Sequence, residues 1–353
     1  MIKEKSPLEE KYKLIADSIR AYPLQFKQAW IEVNSLYIPD DYKEIDNVIL
    51  CGMGGSALGA RIIDSLIQDR LRIPFEIYTE YYVPNYVNEK SLVIASSYSG
   101  TTEETLNATY EALNRGAKVF GITTGGKLAE VLKENNIPGY IFNPINNPSN
   151  QPRMSLGYSI AAALAILTKL GFINVLEEEI DNAVSVMNET LTSYHENTRQ
   201  DNNLAKIYST KLIGKIPVII ASEHLTGTAH AIKNQLNENS KTFSLVFDIP
   251  EANHHLMEGL INPKKIRELL VFIFIKSSLY SKRVLKRYPI TLDVVEKNGL
   301  ECHVYSPYSQ QKLSQVFETF IFGSMVAFNL AKEYKVNITE IPWVDYFKEK
   351  MKK

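Results

Sequence analysis

Asn47-Val-Ile-Leu-Cys-Gly-Met-Gly-Gly-Ser-Ala57 is a short apolar run that halts at glycines and resumes as a helical pattern over Ala57–Gln68. Such a run is a buried strand entering a tight turn, and the helix that follows returns the chain for another strand. Working outward, the same rhythm recurs. The next strand ends with Glu76-Ile-Tyr-Thr-Glu80. Ser91–Ser96 is a strand, Glu103–Asn114 a helix stopped by Gly116, and Ala117–Thr123 a strand. Lys127–Asn135 is a helix and Tyr140–Phe142 a short strand. Strands alternating with helices predict an α/β fold, a mainly parallel sheet covered on both faces.

The Pro/Asn-rich loop Asn143–Pro152 leads to a strong helix over Ser155–Leu170, and Glu177–Asn203 reads as a polar helical connection. Its Glu177-Glu178-Glu179 run reads as a solvated face. The pattern then repeats. Lys215–Ala221, Phe243–Phe247, Leu269–Ile275 and Leu300–Tyr305 are strands, with helices at Ala229–Leu236, Tyr280–Arg287, Leu292–Asn298 and Gln310–Tyr334. Laid with Val48 on Val218, VILCGMGGSALGA matches VIIASEHLTGTAH in pattern, so the second unit is a copy that has lost its glycine loop. The division expected is a helical segment 1–38, a first domain 39–170, a helical connector 171–205 and a second domain 206–353.

The length of 353 residues suits two domains, each able to bury its own core. With 39 Lys+Arg against 40 Asp+Glu the chain has no electrostatic footprint for nucleic acid or an anionic membrane. The opening MIKEKSPLEEKYK lacks the apolar core of a signal peptide. The apolar runs Ile160–Leu167 and Leu269–Ile275 fall short of the roughly 20 residues that span a bilayer. Cys51 and Cys302, far apart in apolar stretches, argue for a reducing cytoplasm rather than a disulfide framework.

Gly52-Met-Gly-Gly-Ser-Ala57 fits the dinucleotide fingerprint G-x-G-x-x-A, with Glu80 as a ribose ligand, but a plain glycine turn fits equally well. A dinucleotide site gives no role to Ser96-Ser-Tyr-Ser-Gly-Thr-Thr-Glu-Glu104. There the hydroxyls of Ser97, Ser99 and Thr102 converge at the mouth of a helix, whose free N–H groups and positive end attract an anion. Thr101-x-x-Glu104 also fits a capping box, and both readings can hold together. The six histidines show no metal-binding spacing. His254-His255 lies in a polar loop after a strand, and Glu238 sits near a helix carboxyl terminus, where the dipole disfavours an anion.

GMGGSALG, SSYSGTTEET, QPRMSLGYS, NQLNENSK and EANHH together resemble the bifunctional phosphoglucose/phosphomannose isomerases, built from two sugar-isomerase (SIS) domains. The resemblance runs from Val48 to the carboxyl terminus and implies flavodoxin-like three-layer sandwiches. It places a phosphate loop on Ser97, Ser99 and Thr102, with Gly54, Gly55 and Ser56 at the facing turn. It assigns catalytic roles to Glu238, Arg153 and His254, and to a lysine near the end, Lys348, with Lys350, Lys352 and Lys353 as competing matches. The reading Asn253-His-His-Leu256 leaves His255 as the alternative to His254. The implied chemistry interconverts fructose 6-phosphate with glucose 6-phosphate and mannose 6-phosphate through an enediol, with no metal and no other cofactor. Glu238 is the shuttle base, His254 opens the ring, Arg153 steadies the enediolate and Lys348 assists. The implied partner is a second copy, a homodimer in which His254 crosses into the neighbour's pocket. A non-catalytic sugar-phosphate sensor would keep the loop without Glu238 or His254, and an amino-sugar phosphate isomerase would keep the fold with another substrate.

Overall fold

The computed structural model describes residues 6–351. Two helices open it, α1 (Pro7–Arg20) and α2 (Tyr22–Ser35). Ser6 and Glu9 form a reciprocal capping box on α1, which satisfies two of the N–H groups a helix start leaves open. The first domain runs β1 (Asn47–Gly52), α3 (Gly54–Ile67), β2 (Phe75–Tyr78), β3 (Ser91–Ser96), α4 (Glu103–Asn114), β4 (Lys118–Thr123), α5 (Gly126–Glu134) and β5 (Gly139–Ile141). All five strands are parallel, in the order β2-β1-β3-β4-β5.

Alternation along the strands divides their side chains between two layers. Val48, Leu50, Leu92, Ile94, Phe120 and Ile122 join the large core shared with α2 and α3. Ile49, Cys51, Val93, Ala95 and Val119 pack on the other face with Ala108, Ala112, Leu128 and Leu132 of α4 and α5. The three-layer sandwich expected from the repeat is present.

Next come α6 (Leu156–Lys169), α7 (Glu177–Ser193) and α8 (Leu204–Lys211). The expected helix over 177–203 ends ten residues early. Asn203 is instead the amino-terminal cap of α8, accepting from the Lys206 N–H at 3.2 Å. Nor is the acidic run at the start of α7 simply solvated. Glu177 accepts the Trp30 indole N–H at 3.0 Å, and Glu179 pairs with Arg70 at 2.7 Å.

The second domain runs β6 (Ile216–Ala221), α9 (Thr226–Glu238), β7 (Leu245–Asp248), the short turns α10 (Leu256–Gly259) and α11 (Ile266–Leu269), β8 (Leu270–Ile275), α12 (Lys282–Lys297), β9 (Glu301–Tyr305), α13 (Lys312–Glu333) and α14 (Pro342–Met351). Its parallel order, β7-β6-β8-β9, repeats the first sheet without the last strand. The helix expected to break between Arg287 and Leu292 is continuous. Pro289 sits on its solvent face, where water can take up the carbonyl that the missing N–H leaves open. By length and composition α13 could cross a membrane, yet its apolar stretch is wholly buried, packed against α7, α8 and α9. It is a core helix. The carboxyl-terminal α14 stands apart, for none of its residues is buried.

Candidate active site

In a parallel sheet of order 2-1-3-4-5 the helices after β1 and β3 leave on opposite faces, opening a crevice beyond the carboxyl ends of those strands. Here Gly52 and Ser96 are neighbours across that crevice. The glycines of α3's first turn and the serine loop before α4 therefore meet. The Tyr98 N–H donates to the Ser56 hydroxyl at 3.3 Å, joining the two loops. Ser97 is buried, its hydroxyl 2.8 Å from that of Thr102 and accepting the Gly100 N–H at 3.1 Å. Ser97 thus shapes the loop, while Ser99 and Thr102 stand at its mouth.

The expected capping box from Thr101 does not form. Thr102 is the N-cap of α4, no side chain caps that helix, and the Thr101 hydroxyl is 3.0 Å from that of Ser99. The start of α3 has no side-chain cap either. Two uncapped helix starts with hydroxyls between them form a cradle for an anion.

The cradle abuts the turn that carries Arg153. A Cβ on Gly55 would come within 3.0 Å of the Pro152 carbonyl oxygen and 3.3 Å of the Arg153 nitrogen, so glycine permits the contact. Arg153 is 2 % exposed. Its Nε donates to Asn239 at 2.8 Å, Nη1 to Gln151 at 2.8 Å, and Nη2 to the carbonyls of Ile338 and Thr339 at 2.7 and 3.2 Å. Four of the five N–H groups are occupied by these bonds, leaving one Nη1 donor and the full positive charge for a ligand.

Asn239 follows Glu238, the last residue of α9. Burial pushes the Glu238 carboxyl above its usual range, against the opposing pull of Arg153, Lys241, Lys348 and Lys233. A carboxylate whose charged form is disfavoured by burial is a stronger proton acceptor than an exposed one. The same field places Lys348 of α14 beside Glu238, whereas Lys350 lies 5.4 Å from the Tyr346 ring. Lys352 and Lys353 lie outside the described residues. Lys241, in the NQLNENSK stretch, has no role in the residue reading, yet it stands among these charges. A lysine just past a helix end was the available signal.

His254 lies elsewhere. Since α9 runs back against the parallel strands, Glu238 lies at the edge where they begin, whereas His254 closes a 3₁₀ turn beyond the far end of β7. The four residues of β7 alone span about 13 Å. Both His254 and His255 are exposed. Asn253 anchors the turn, donating to Thr291 at 2.7 Å and accepting from Arg287 at 3.2 Å. His255 leans toward Glu251, at 3.9 Å. The fold brings together every proposed site residue except the histidine. Among the described residues no three His, Cys, Asp or Glu side chains are grouped to hold a metal.

Residues 42–133 match the SIS domain family, and residues 201–351 match the bacterial phospho-glucose isomerase C-terminal SIS domain. A bifunctional phosphoglucose/phosphomannose isomerase of Caldicellulosiruptor bescii is 34% identical over 342 residues, covering 95% of this chain and 98% of that protein. The chain belongs to the bifunctional phosphoglucose/phosphomannose isomerase family. Another member, from Thermoplasma acidophilum, is 29% identical over 86% of this chain and 89% of its own. Among solved structures, a hypothetical protein of Thermus thermophilus superposes with a TM-score of 0.74 over 98% of this chain and 94% of its own. At 17% identity it supports the two-domain α/β fold alone. The family is one of sugar-phosphate isomerases, and the dinucleotide reading is set aside.

Proposed function

We propose that this chain is a cytoplasmic aldose–ketose isomerase that interconverts fructose 6-phosphate with glucose 6-phosphate and mannose 6-phosphate as a homodimer. The observation that carries the reading is one continuous line of contacts. It runs from an uncapped anion cradle, through the buried Arg153, to a carboxyl that burial makes basic. The sugar phosphate docks its phosphate on Ser99, Thr102, the Ser56 hydroxyl and the amides of Gly54 and Gly55. Glu238 takes the proton from C2 of the open aldose, the C–H electrons form the C1–C2 double bond, and O1 gains a proton. Glu238 then returns its proton to C1 while the C2 hydroxyl loses its own to give the ketose. The Arg153 charge and its spare N–H offset the oxyanion as it develops. C2 is trigonal in the enediol, so the two epimeric aldoses share one intermediate.

Ring opening needs a proton placed on the ring oxygen as the C1–O5 bond breaks, while the O1 hydroxyl loses its own proton to leave the C1 carbonyl; this exchange is the role of His254, with Lys348 assisting. Glu238 and His254 of one chain lie at opposite sheet edges, which supports the reading that His254 is supplied by the second copy. The fused domains 39–170 and 206–353 each supply one wall of the site.

Chelator-treated protein given fructose 6-phosphate should yield both glucose 6-phosphate and mannose 6-phosphate in coupled assays, with solvent deuterium appearing at C2. Absence of either aldose would overturn the bifunctional reading. For the shared site, Glu238→Gln chains are mixed with His254→Ala chains after reversible dissociation. One intact site forms in each mixed dimer, restoring about a quarter of wild-type activity. No recovery despite proven exchange would place both residues on one chain's site.

A further inference from the structure

Lys241 lies three residues beyond the end of α9 and takes the left-handed φ of 56°, a conformation uncommon for a lysine. The turn carries its ammonium to two carbonyls. Nζ donates to the Glu238 oxygen at 2.5 Å and to the Glu340 oxygen at 2.6 Å. The first bond puts a cation on one of the carbonyls that a helix end leaves open, where the dipole favours it. The second reaches the stem of α14. Arg153 already holds the carbonyls of Ile338 and Thr339. Two cations beside Glu238 therefore grip three consecutive carbonyls, 338, 339 and 340, just ahead of Pro342. Because α14 buries no residue of its own, side-chain packing does little to keep it in place. Its stem does.

We propose that Lys241 is a positioning residue: its ammonium latches the stem of α14, and through it Lys348, against the helix end that carries Glu238. The catalytic part of this inference rests on Glu238 being the base. The charges that face the ammonium are Arg153 from the 152–154 turn, Glu238 of α9 and Glu340 of the stem; Lys233 of α9 and Lys348 of α14 act on Glu238, and Asp345 of α14 acts on Arg153. Lys11 of α1 pairs with the Glu340 carboxylate at 2.7 Å. Although the residue as a whole is open to solvent, partial burial of its ammonium and then the Arg153 charge push Lys241 down to about 8, against the pull of Glu238 and Glu340. The latch is thus charged at neutral pH and loses its charge as pH rises through 8.

The test measures kcat and KM across pH for wild type, Lys241→Arg and Lys241→Met, with hydrogen exchange of the 342–351 peptides at one fixed pH. Wild type should show kcat falling with a midpoint near pH 8. Lys241→Arg, which stays charged and can still donate, should keep neutral-pH activity and move that fall upward by a pH unit or more. Lys241→Met should lower kcat about tenfold with little change in KM, since misplacement acts on the chemical step. It should also raise the acid limb, because a cation that lowers the Glu238 pKa is gone, and speed exchange in α14. An alkaline fall unmoved in Lys241→Arg, or unchanged α14 exchange in Lys241→Met, would overturn the latch. Full turnover by Glu238→Gln would remove the base, while the exchange result would still decide the latch by itself.

Discussion

The same crevice occurs twice in this molecule, and the two copies end differently. In the first domain Gly54, seven residues after the start of β1, takes φ 49° and opens α3 without a cap. Thr102, eleven residues after the start of β3, begins α4, also uncapped. In the second, Glu223 stands seven residues after the start of β6 with φ 47°, and Ser281 stands eleven residues after the start of β8 as the N-cap of α12. Both Glu223 carboxylate oxygens accept the Ser281 N–H, at 3.1 Å. The second crevice carries its own anion; the first is left open for one. A duplicated fold repeats its electrostatics, and one side chain decides whether that field serves a ligand or the protein itself. In the proposed reaction the filled copy would contribute instead from its strand edges, with Glu238 at one end of β7 and His254 at the other.

The comparison breaks most severely at Glu238. Glu238→Gln should lower kcat by two to four decades, with loss of deuterium wash-in at C2 and little change in melting temperature. A kcat within threefold of wild type would take the second domain's edge out of the chemistry. In the intact enzyme the base must be ionised. With Glu238 raised by burial, the acid limb of kcat/KM should lie above the usual carboxylate range, activity falling as pH drops through it. A limb at ordinary carboxylate values would contradict the burial argument.

Next in size is the seam between cradle and base. In Gly55→Ala the added Cβ presses on the Pro152 carbonyl, displacing the Arg153 turn. We expect about a tenfold loss of kcat/KM; unchanged kinetics would separate the cradle from Arg153. Smaller still is Ser99→Ala, which removes one hydroxyl from the open crevice. A loss of about 1 kcal/mol means a several-fold rise in KM for fructose 6-phosphate. The mirror position gives the smallest effect on catalysis. Glu223→Ala should leave kcat and KM unchanged and lower stability by about 1 kcal/mol in urea unfolding through loss of the cap. Glu223→Gly should cost less, because glycine accepts the left-handed backbone. Altered kinetics in either variant would mean that the second crevice is not merely filled.

Local signals made the α/β alternation, the glycine turn and the hydroxyl loop readable, because a strand ending at glycines and hydroxyls before a helix are patterns of neighbours in sequence. Where tertiary context competed with them, the reading slipped. Pro289 marks a break that its solvent-facing position makes unnecessary, Asn203 closes a helix on paper and opens one in space, and the helix that Thr101 was to cap starts one residue later, uncapped. The residue reading expects helices at the carboxyl terminus but gives α14 no range of its own, because it follows no strand and buries no face.

The order of elements, the duplication and the residue types able to bind an anion or move a proton all follow from the chain read end to end, since each depends on periodicity or a short motif. Whether those residues meet depends on contacts between segments far apart along the chain. Arg153 reaching Asn239, Lys241 reaching Glu340, Glu223 closing on Ser281, and Glu238 and His254 parted by a strand are of this kind. No local pattern encodes such distances; they are set by how two sheets pack around one core, and that packing raises Glu238 by burying it.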